Sequence, residues 1–276
     1  MNGVEEKILI PGAEWEQPMK FWLYTLFYAA GFIVLIPEPG HAWGPGTHYY
    51  LARNLLEMGM ITGTFGALLE KWDSWFYYGS VVADVVIGKG FLSYEQHTHN
   101  WGVAEELQER ARNSREQAFA AGVWVHLAAD TVAHNEFVPD FFHRVRMPKK
   151  LAHAYWEFRV ERWIPSKYWR DLEQLVTEDF AESEAIFEQT IRGTVVPFPV
   201  NWAVMKSVLK ISSLRSWRRL ADFYVELSTN NLTDDDLAPY LELCLTRMRD
   251  SLGDEETRSE VLKLDPTGVF PEHHGS

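Results

Sequence analysis

The sequence is almost free of cysteine, since Cys244 is the only one among 276 residues. It lies in the segment LELCLTRM, where apolar residues recur at helical spacing, and we expect it in the hydrophobic core. A lone cysteine cannot build a metal site from thiolates. Any metal site in this chain therefore depends on His, Asp and Glu side chains.

Basic residues are also scarce. Lys and Arg number 26 against 39 Asp and Glu, which gives a formal charge of −13. Binding to a phosphate backbone requires clustered Lys and Arg, so the composition argues against specific nucleic-acid binding. Several hydrolase signatures are absent as well, namely a GxSxG elbow, a P-loop, an HExxH motif and an adjacent His-Asp doublet.

The N-terminal region has the parts of an export signal. Residues 1–20 are polar and acidic, and Lys20 is followed by an apolar run over residues 21–37. Small residues at Gly40 and Ala42 complete the pattern of a secretory signal. The pattern predicts a signal peptide that is cut after Ala42.

Two alternatives bear on this leader. Signal peptides normally begin with basic residues, and a translation start at Met19 would remove the acidic part. The apolar run is also near the lower length limit for crossing a bilayer, so an uncleaved signal anchor would contact the membrane through residues 21–37. We therefore expect residues 1–42 to direct export to the periplasm or the exterior, or to anchor the protein in the membrane.

The strongest pattern is a ridge of ionisable residues between Gly122 and Asn135, where His126, Asp130 and His134 recur every four residues. In a helix these side chains share one face along about 12 Å. The residues between them are mostly apolar, so burial of the ridge is costly unless something compensates it. The ridge is too long for one ion: the first two residues can share a metal, the last must serve a second, and the two aspartate oxygens can bridge to a third.

A simpler interpretation of the ridge is a buried His–Asp hydrogen-bonded pair with an unrelated third residue. Other candidate ligands also have two interpretations. Asp84 interrupts an apolar run, where it can be a cap or a ligand, and one of His97 and His99 can be a ligand. His153 and Glu157 lie four apart on one helical face, as an ordinary helical pair or as two ligands.

Helical periodicity dominates the rest of the chain. Apolar residues recur three and four apart from His48 onward and over residues 62–72, with no alternation of strands and helices. Ser114 opens a capping box for the central helix, and Thr233 is the expected N-cap of a last helix that runs to about Leu252. We expect an all-α fold.

The composition favours a single domain. Hydrophobic residues make up 46% of the chain, which is long enough to bury a substantial core. We expect one multi-helix domain over residues 43–252. The tail over residues 253–276, which ends in PEHHGS, is predicted to be flexible.

The order of these motifs resembles a known family. WGPGTH at residues 43–48, then Asp84 after an apolar run, then Thr98-His99, HxxxDxxxH and HxxxE are similar to the zinc-dependent phospholipase C family and to the phospholipase C/D domain of glycosylphosphatidylinositol-specific phospholipase D. The likeness covers roughly residues 43–160. Members of this family are all-α and hold three zinc ions, so the resemblance implies a trinuclear zinc site.

The resemblance also implies the ligands of each ion. One zinc would be bound by Asp84, His99, His126 and Asp130, a second by His134, His153 and Glu157, and the third by Trp43, His48 and a shared Asp130. Trp43 would contribute its carbonyl oxygen and the α-amine that cleavage after Ala42 exposes. His99 is preferred because Thr98-His99 matches the TH of the family, and His97 stays as the alternative.

The activity that the resemblance implies is phosphodiester hydrolysis, with phospholipids as the expected substrates. In this reaction Asp84 would orient or deprotonate the attacking water. The gap between His99 and His126 is shorter than in the secreted bacterial lipases, so the walls that select a choline headgroup do not carry over. An alternative enzyme is a single-strand nuclease of the same superfamily, although that group has Asp where this chain has Glu157 and relies on disulfides. An alternative of another class is a non-catalytic envelope protein that zinc stabilises.

Overall fold

The protein is built from α-helices. This computed structural model describes residues 43–85, 98–191, 196–213, 219 and 232–268, and no strand is present within these ranges, which confirms the predicted all-α class. The helices are α1 (Pro45–Glu57), α2 (Gly63–Lys71), α3 (Asp73–Val82), α4 (Trp101–Arg110), α5 (Ser114–Val132), α6 (Lys149–Trp163), α7 (Ser166–Leu175), α8 (Ala181–Thr190), α9 (Phe198–Ser213), α10 (Asp234–Ser251) and α11 (Glu255–Leu262).

Helix α5 forms the centre of the fold. Its N-cap is Asn113, one residue earlier than predicted, and the Asn113 side chain accepts hydrogen bonds from the backbone N–H groups of Arg115 and Glu116. Every residue from Ala118 to Val132 is buried. The helices α3, α4 and α10 pack around it. A helix that is covered on all sides can be apolar on all sides. The ionisable residues of α5 are therefore the ones that need an explanation.

A close contact joins α3 to α5 through two glycines. A Cβ atom on Gly122 would lie 2.2 Å from the carbonyl oxygen of Phe76, and one on Gly79 would lie 2.1 Å from the carbonyl oxygen of Phe119. A side chain at either position would push the two helices apart. The glycines therefore let the backbone of α3 reach the surface of the central helix.

The central helix continues beyond its predicted end near Glu136. After Val132 the backbone forms a π-helical turn over Ala133–Phe137 and then a short α-helical turn over Val138–Phe141. Pro139 does not stop it. Proline lacks a backbone N–H, and in the first turn of a helical segment that N–H would have no intrahelical acceptor. Turns of the π type are rare, and those that occur inside α-helices often lie at functional sites.

The C-terminal region is more ordered than predicted. The sequence predicts a flexible tail over residues 253–276, yet this region contains α11, whose N-cap is Asp254. Val261 is buried, and the carbonyl oxygen of Leu264 accepts a hydrogen bond from the indole of Trp101 at 2.8 Å. The prediction is wrong for the described part of the tail, because these contacts join residues that are distant in sequence.

Two local predictions are confirmed. Cys244 is fully buried in the core, and Thr233 is the N-cap of α10, with the complete capping box. The predicted leader, residues 1–42, lies outside the described residues, as does His97. Within the described part of the chain, none of the helices is both long and apolar enough to span a membrane.

Candidate metal centre

Five of the predicted ligands meet in one buried cluster. They are Asp84 in a 3₁₀ turn after α3, His99 just before α4, His126 and Asp130 on α5, and His48 on α1. Each comes from a different part of the sequence except the pair on α5. Burial of five ionisable side chains in one place is unfavourable unless their charges and lone pairs are compensated there.

The orientation of His126 is set by α3. Its Nδ1 lies 2.8 Å from the carbonyl oxygen of Ser80, which the glycine contact between α3 and α5 brings close. A carbonyl oxygen only accepts, so Nδ1 carries the proton and Nε2 presents a lone pair. Metal-binding histidines are commonly fixed by this kind of hydrogen bond to the backbone.

Thr98 orients His99 in an equivalent way. The Thr98 hydroxyl donates to the carbonyl oxygen of Ala83 at 2.9 Å, and its oxygen lies 3.1 Å from His99 Nδ1. Because the single hydroxyl proton points to Ala83, the oxygen accepts from Nδ1–H, and His99 Nε2 presents a lone pair. The Thr98-His99 pair singled out in the sequence therefore has a physical reason, and it is His99 that lies in the cluster.

The two Nε2 atoms point at the same place. Those of His99 and His126 lie 3.1 Å apart, and their distances to Asp130 Oδ2 are 2.9 and 3.2 Å. Asp84 Oδ1 lies 3.3 Å from His99 Nε2 and 3.8 Å from His126 Nε2. Three of the four residues predicted to share one zinc, His99, His126 and Asp130, thus present their ligand atoms to a common point, and Asp84 lies next to both histidines.

A zinc ion fits this set of donors. Atoms that bind tetrahedral zinc at about 2.0–2.1 Å are themselves about 3.3 Å apart, which is close to the separations in the cluster. Two lone pairs and a carboxylate oxygen that converge on one point are stabilised by a cation between them. Imidazole and carboxylate ligands without thiolates suit zinc better than magnesium or calcium.

Asp130 faces two sides of the cluster. Its Oδ2 is close to His99 and His126, whereas its Oδ1 lies 3.2 Å from His48 Nε2. Burial raises the pKa of Asp130, but His126 and His48 outweigh burial, and the pKa lies well below its usual range. An ionised carboxylate with a different set of nitrogens at each oxygen has the arrangement expected of a ligand that bridges two ions.

His48 belongs to a second close group of ligand atoms. Those of His48, Asp84 and His126 lie within 4.8 Å of one another, as do those of His99, His126 and Asp130. The rings of His48 and His126 stack, with centroids 3.8 Å apart. Burial lowers the pKa of His48, although Asp130 and Asp84 oppose this. The neutral imidazole that results is the form that binds metals.

Trp43 is anchored to the same helix. It is fully buried, and its indole N–H donates to the carbonyl oxygen of Ala129 at 3.2 Å. Its ring also packs on Phe137, with centroids 4.8 Å apart. Ala129 directly precedes Asp130, so the indole of Trp43 is held next to the residue that is predicted to bridge two ions.

The other three predicted ligands form a looser group. His134 lies in the π-helical turn, while His153 and Glu157 lie one helical turn apart on α6. The rings of His134 and His153 meet edge to face with centroids 5.3 Å apart. Neither of the two close groups in the described part of the chain contains any of the three. The structure thus brings the rings of the two histidines into contact.

Glu161 is a site residue that the sequence analysis missed. Its Oε1 accepts hydrogen bonds from the backbone N–H of Thr47 at 2.7 Å and from the Thr47 hydroxyl, and its Oε2 accepts from the N–H of Gly46 at 3.1 Å. Burial raises the pKa of Glu161 to about 7, the hydrogen bonds oppose this, and the charge of Asp84 adds to it. The signal was present in the sequence, because Glu161 follows Glu157 by four residues and continues the HxxxE spacing.

The C-terminal region also contributes to the site. The side chain of Asn135 donates to the carbonyl oxygens of Thr131 and Asp265, at 2.7 and 2.9 Å. Gly268, with φ of +66°, approaches so closely that a Cβ atom there would lie 2.8 Å from the Cβ of His134. This segment therefore packs on the π-helical turn and on His134, one of the predicted ligands.

Comparison with known families gives a match over the same region. The model of a family described as zinc dependent phospholipase C matches residues 47–194, which is more than half of the chain. This range contains every predicted metal ligand except Trp43. No curated protein and no solved structure gives a significant match.

Proposed function

Because the chain belongs to the zinc-dependent phospholipase C family, we propose that it hydrolyses phosphodiester bonds in phospholipids. Family membership supports a hydrolase that depends on zinc, and the phospholipid substrate is the finer part of the proposal. The observation that carries it is the convergence of His99 Nε2, His126 Nε2 and Asp130 Oδ2 within 3.2 Å of one another in a buried place.

We assign three zinc ions to this centre. The first would be held by Asp84, His99, His126 and Asp130, the second by His134, His153 and Glu157, and the third by Trp43, His48 and Asp130. The first assignment is supported by the short distances in the cluster, and the bridging role by the two faces of Asp130. The second is supported by the contact between the rings of His134 and His153.

The bound ions would supply charge that neutralises the phosphate oxygens and lowers the pKa of water to about 7. The protein supplies the rest. Asp84 is the proposed catalytic residue, because its Oδ1 faces His99 while its Oδ2 lies 3.9 Å from His48 Nε2. A carboxylate between the two sides of the cluster can orient the attacking water and accept its proton.

We also propose that the protein is exported and cut after Ala42. Cleavage would give Trp43 a free α-amine, and the proposal is supported by the burial of Trp43 and by its indole hydrogen bond to Ala129, the residue before Asp130. Membrane contact through residues 21–37 belongs to the uncleaved form. N-terminal sequencing of the protein from its native cell envelope decides between the two, since an intact leader would refute cleavage.

The direct test of the function is hydrolysis of phosphatidylcholine in mixed micelles by zinc-loaded protein, followed as release of diacylglycerol. We expect chelation to stop the reaction and added zinc to restore it. Asp84→Asn is expected to lower turnover about 100-fold or more, as for removal of a proton acceptor. Glu260→Gln, at an exposed acid that pairs with Lys263, is the control and should leave turnover unchanged.

The same protein should be offered a single-stranded oligonucleotide. Cleavage of the oligonucleotide in preference to phospholipid would replace the proposed substrate by that of the nuclease alternative. A folded, zinc-loaded protein that hydrolyses neither would contradict an enzymatic role and would favour a structural one.

A further inference from the structure

The first turn of α1 is capped by a residue from another helix. Its N-cap, Gly44, has no side chain and makes no side-chain cap hydrogen bond, although its carbonyl oxygen accepts from the N–H groups of Thr47 and His48. The carboxylate of Glu161 on α6 takes this role, because it accepts from the N–H groups of Gly46 and Thr47 and from the Thr47 hydroxyl. The carboxyl group of Glu161 thus receives three donors from the first turn of α1, at the positive end of the helix.

The glycines of the WGPGTH segment make room for this carboxylate. A Cβ atom on Gly44 would lie 2.6 Å from Cδ of Glu161, and one on Gly46 would lie 2.8 Å from its Oε2. The Gly46 position is closed on its other side by Trp169, at 2.5 Å. Pro45, between the two glycines, is the first residue of α1, where a backbone N–H would have no acceptor within the helix. The Gly-Pro-Gly sequence is therefore shaped to receive the carboxylate.

We propose that Glu161 is a positioning residue of the metal centre. It fixes the start of α1, and with it Trp43 and His48, to the helix that carries His153 and Glu157. This inference rests on the proposed function, since it concerns where the ligands of the zinc ions are held.

The sequence positions explain why this cap affects ligands in particular. Thr47, which Glu161 holds through two hydrogen bonds, directly precedes His48. Helix ends that lack a cap fray within their first turn, and His48 lies at the end of that turn. A ligand on a frayed turn must be ordered again when the metal binds, which weakens binding.

The test compares zinc affinity, measured by competition with a chelating dye, together with elemental zinc per chain, in protein that is exported and processed to begin at Trp43. For Glu161→Ala we expect a loss of about 10- to 100-fold in affinity for one ion, as is typical when a residue that supports a ligand is removed. Glu161→Gln and Thr47→Val should lose less, since each keeps part of the hydrogen bonding. Circular dichroism of each variant reports whether the helices are retained.

The matched control is Asp254→Ala, which removes the N-cap of α11, away from α1. It should leave zinc affinity unchanged. Wild-type affinity in Glu161→Ala, or an equal loss in the control, would overturn the inference. If Glu161→Ala fails to fold, wild-type affinity in both Glu161→Gln and Thr47→Val would overturn it. A wild-type protein that binds no zinc would instead overturn the proposed function itself.

Discussion

The two groups of predicted ligands are held in different ways. In the first, His99, His126 and Asp130 come within 3.2 Å of one another, and each histidine has its Nδ1 fixed by a partner. In the second, the rings of His134 and His153 are in contact with centroids 5.3 Å apart. The first group has a close set of ligand atoms from α5 and from the segment just before α4, whereas the second joins a π-helical turn to α6 through the contact of two rings.

The difference follows from the backbone. The first group lies where α3 and α5 meet through Gly79 and Gly122, a contact that leaves little freedom. The second begins in the π-helical turn Ala133–Phe137, which Gly268 of the C-terminal segment approaches closely. The first group of predicted ligands thus depends on the close packing of two regular helices. The second depends on an irregular turn and on the C-terminal segment that packs on it.

The largest effect is expected from Gly122→Val, which breaks the contact that builds the first group. The new side chain would meet the Phe76 carbonyl oxygen and separate α3 from α5. We expect a loss of about 3 kcal/mol in the free energy of unfolding, measured by urea denaturation of the zinc-free protein, and loss of bound zinc. Gly102→Ala is the control, because a Cβ atom there meets only a side-chain oxygen, at 3.1 Å. Unchanged zinc content in Gly122→Val would show that the contact does not build the site.

A more selective change is Asp130→Asn, which keeps the packing and removes one of the two charged oxygens. Because each oxygen faces different histidines, the amide cannot bridge, and we expect loss of at least one zinc and of hydrolysis. Elemental analysis and the micelle assay measure the two effects. Full metal content in this variant would refute the bridging role.

Gly268→Ala addresses the second group. The new Cβ atom would clash with His134 and would place alanine at a positive φ. We expect a loss of about 1–3 kcal/mol in the free energy of unfolding and weaker binding of one zinc. Gly59→Ala is the matched control, since Gly59 has φ of +63° with nothing within 4 Å. Equal zinc binding in both variants would show that the C-terminal segment does not support the site.

The smallest effect is expected at Asp236, which belongs to the capping box of α10 and to neither group of predicted ligands. It gives the baseline for the other variants. Hydrogen bonds from Thr233 and from Arg144 lower the pKa of Asp236 to about 2. Its stabilisation is present above the ordinary pKa, near 4, and is lost as the pH falls towards 2. Asp236→Asn should therefore cost less than about 1 kcal/mol at pH 7 and still less at pH 3, by urea denaturation of zinc-free protein. An equal cost at both pH values would contradict the lowered pKa.

Much of the fold could be predicted because its signals are local. Helical periodicity, the cap at Thr233 and the spacing of His126 and Asp130 are all visible in short stretches of sequence. The order of the C-terminal region depends on distant contacts, such as that of Trp101 with Leu264, and no local pattern carries them.

The site follows the same division. The sequence predicts that Asp130 lies between two metals because residues four apart share a helical face. It does not predict that His134 lies in a π-helical turn, or that Glu161 caps α1, because these features arise from tertiary packing. The Ser80 carbonyl that fixes His126 is a backbone group, so no side-chain pattern in the sequence marks it.

The most direct measurement is elemental zinc per chain on protein exported and processed in a bacterial host, with the N-terminus read from the same sample. We expect three zinc ions on a chain that begins at Trp43. Two or fewer on such a chain would contradict a centre in which Asp130 bridges to a third ion held by Trp43 and His48.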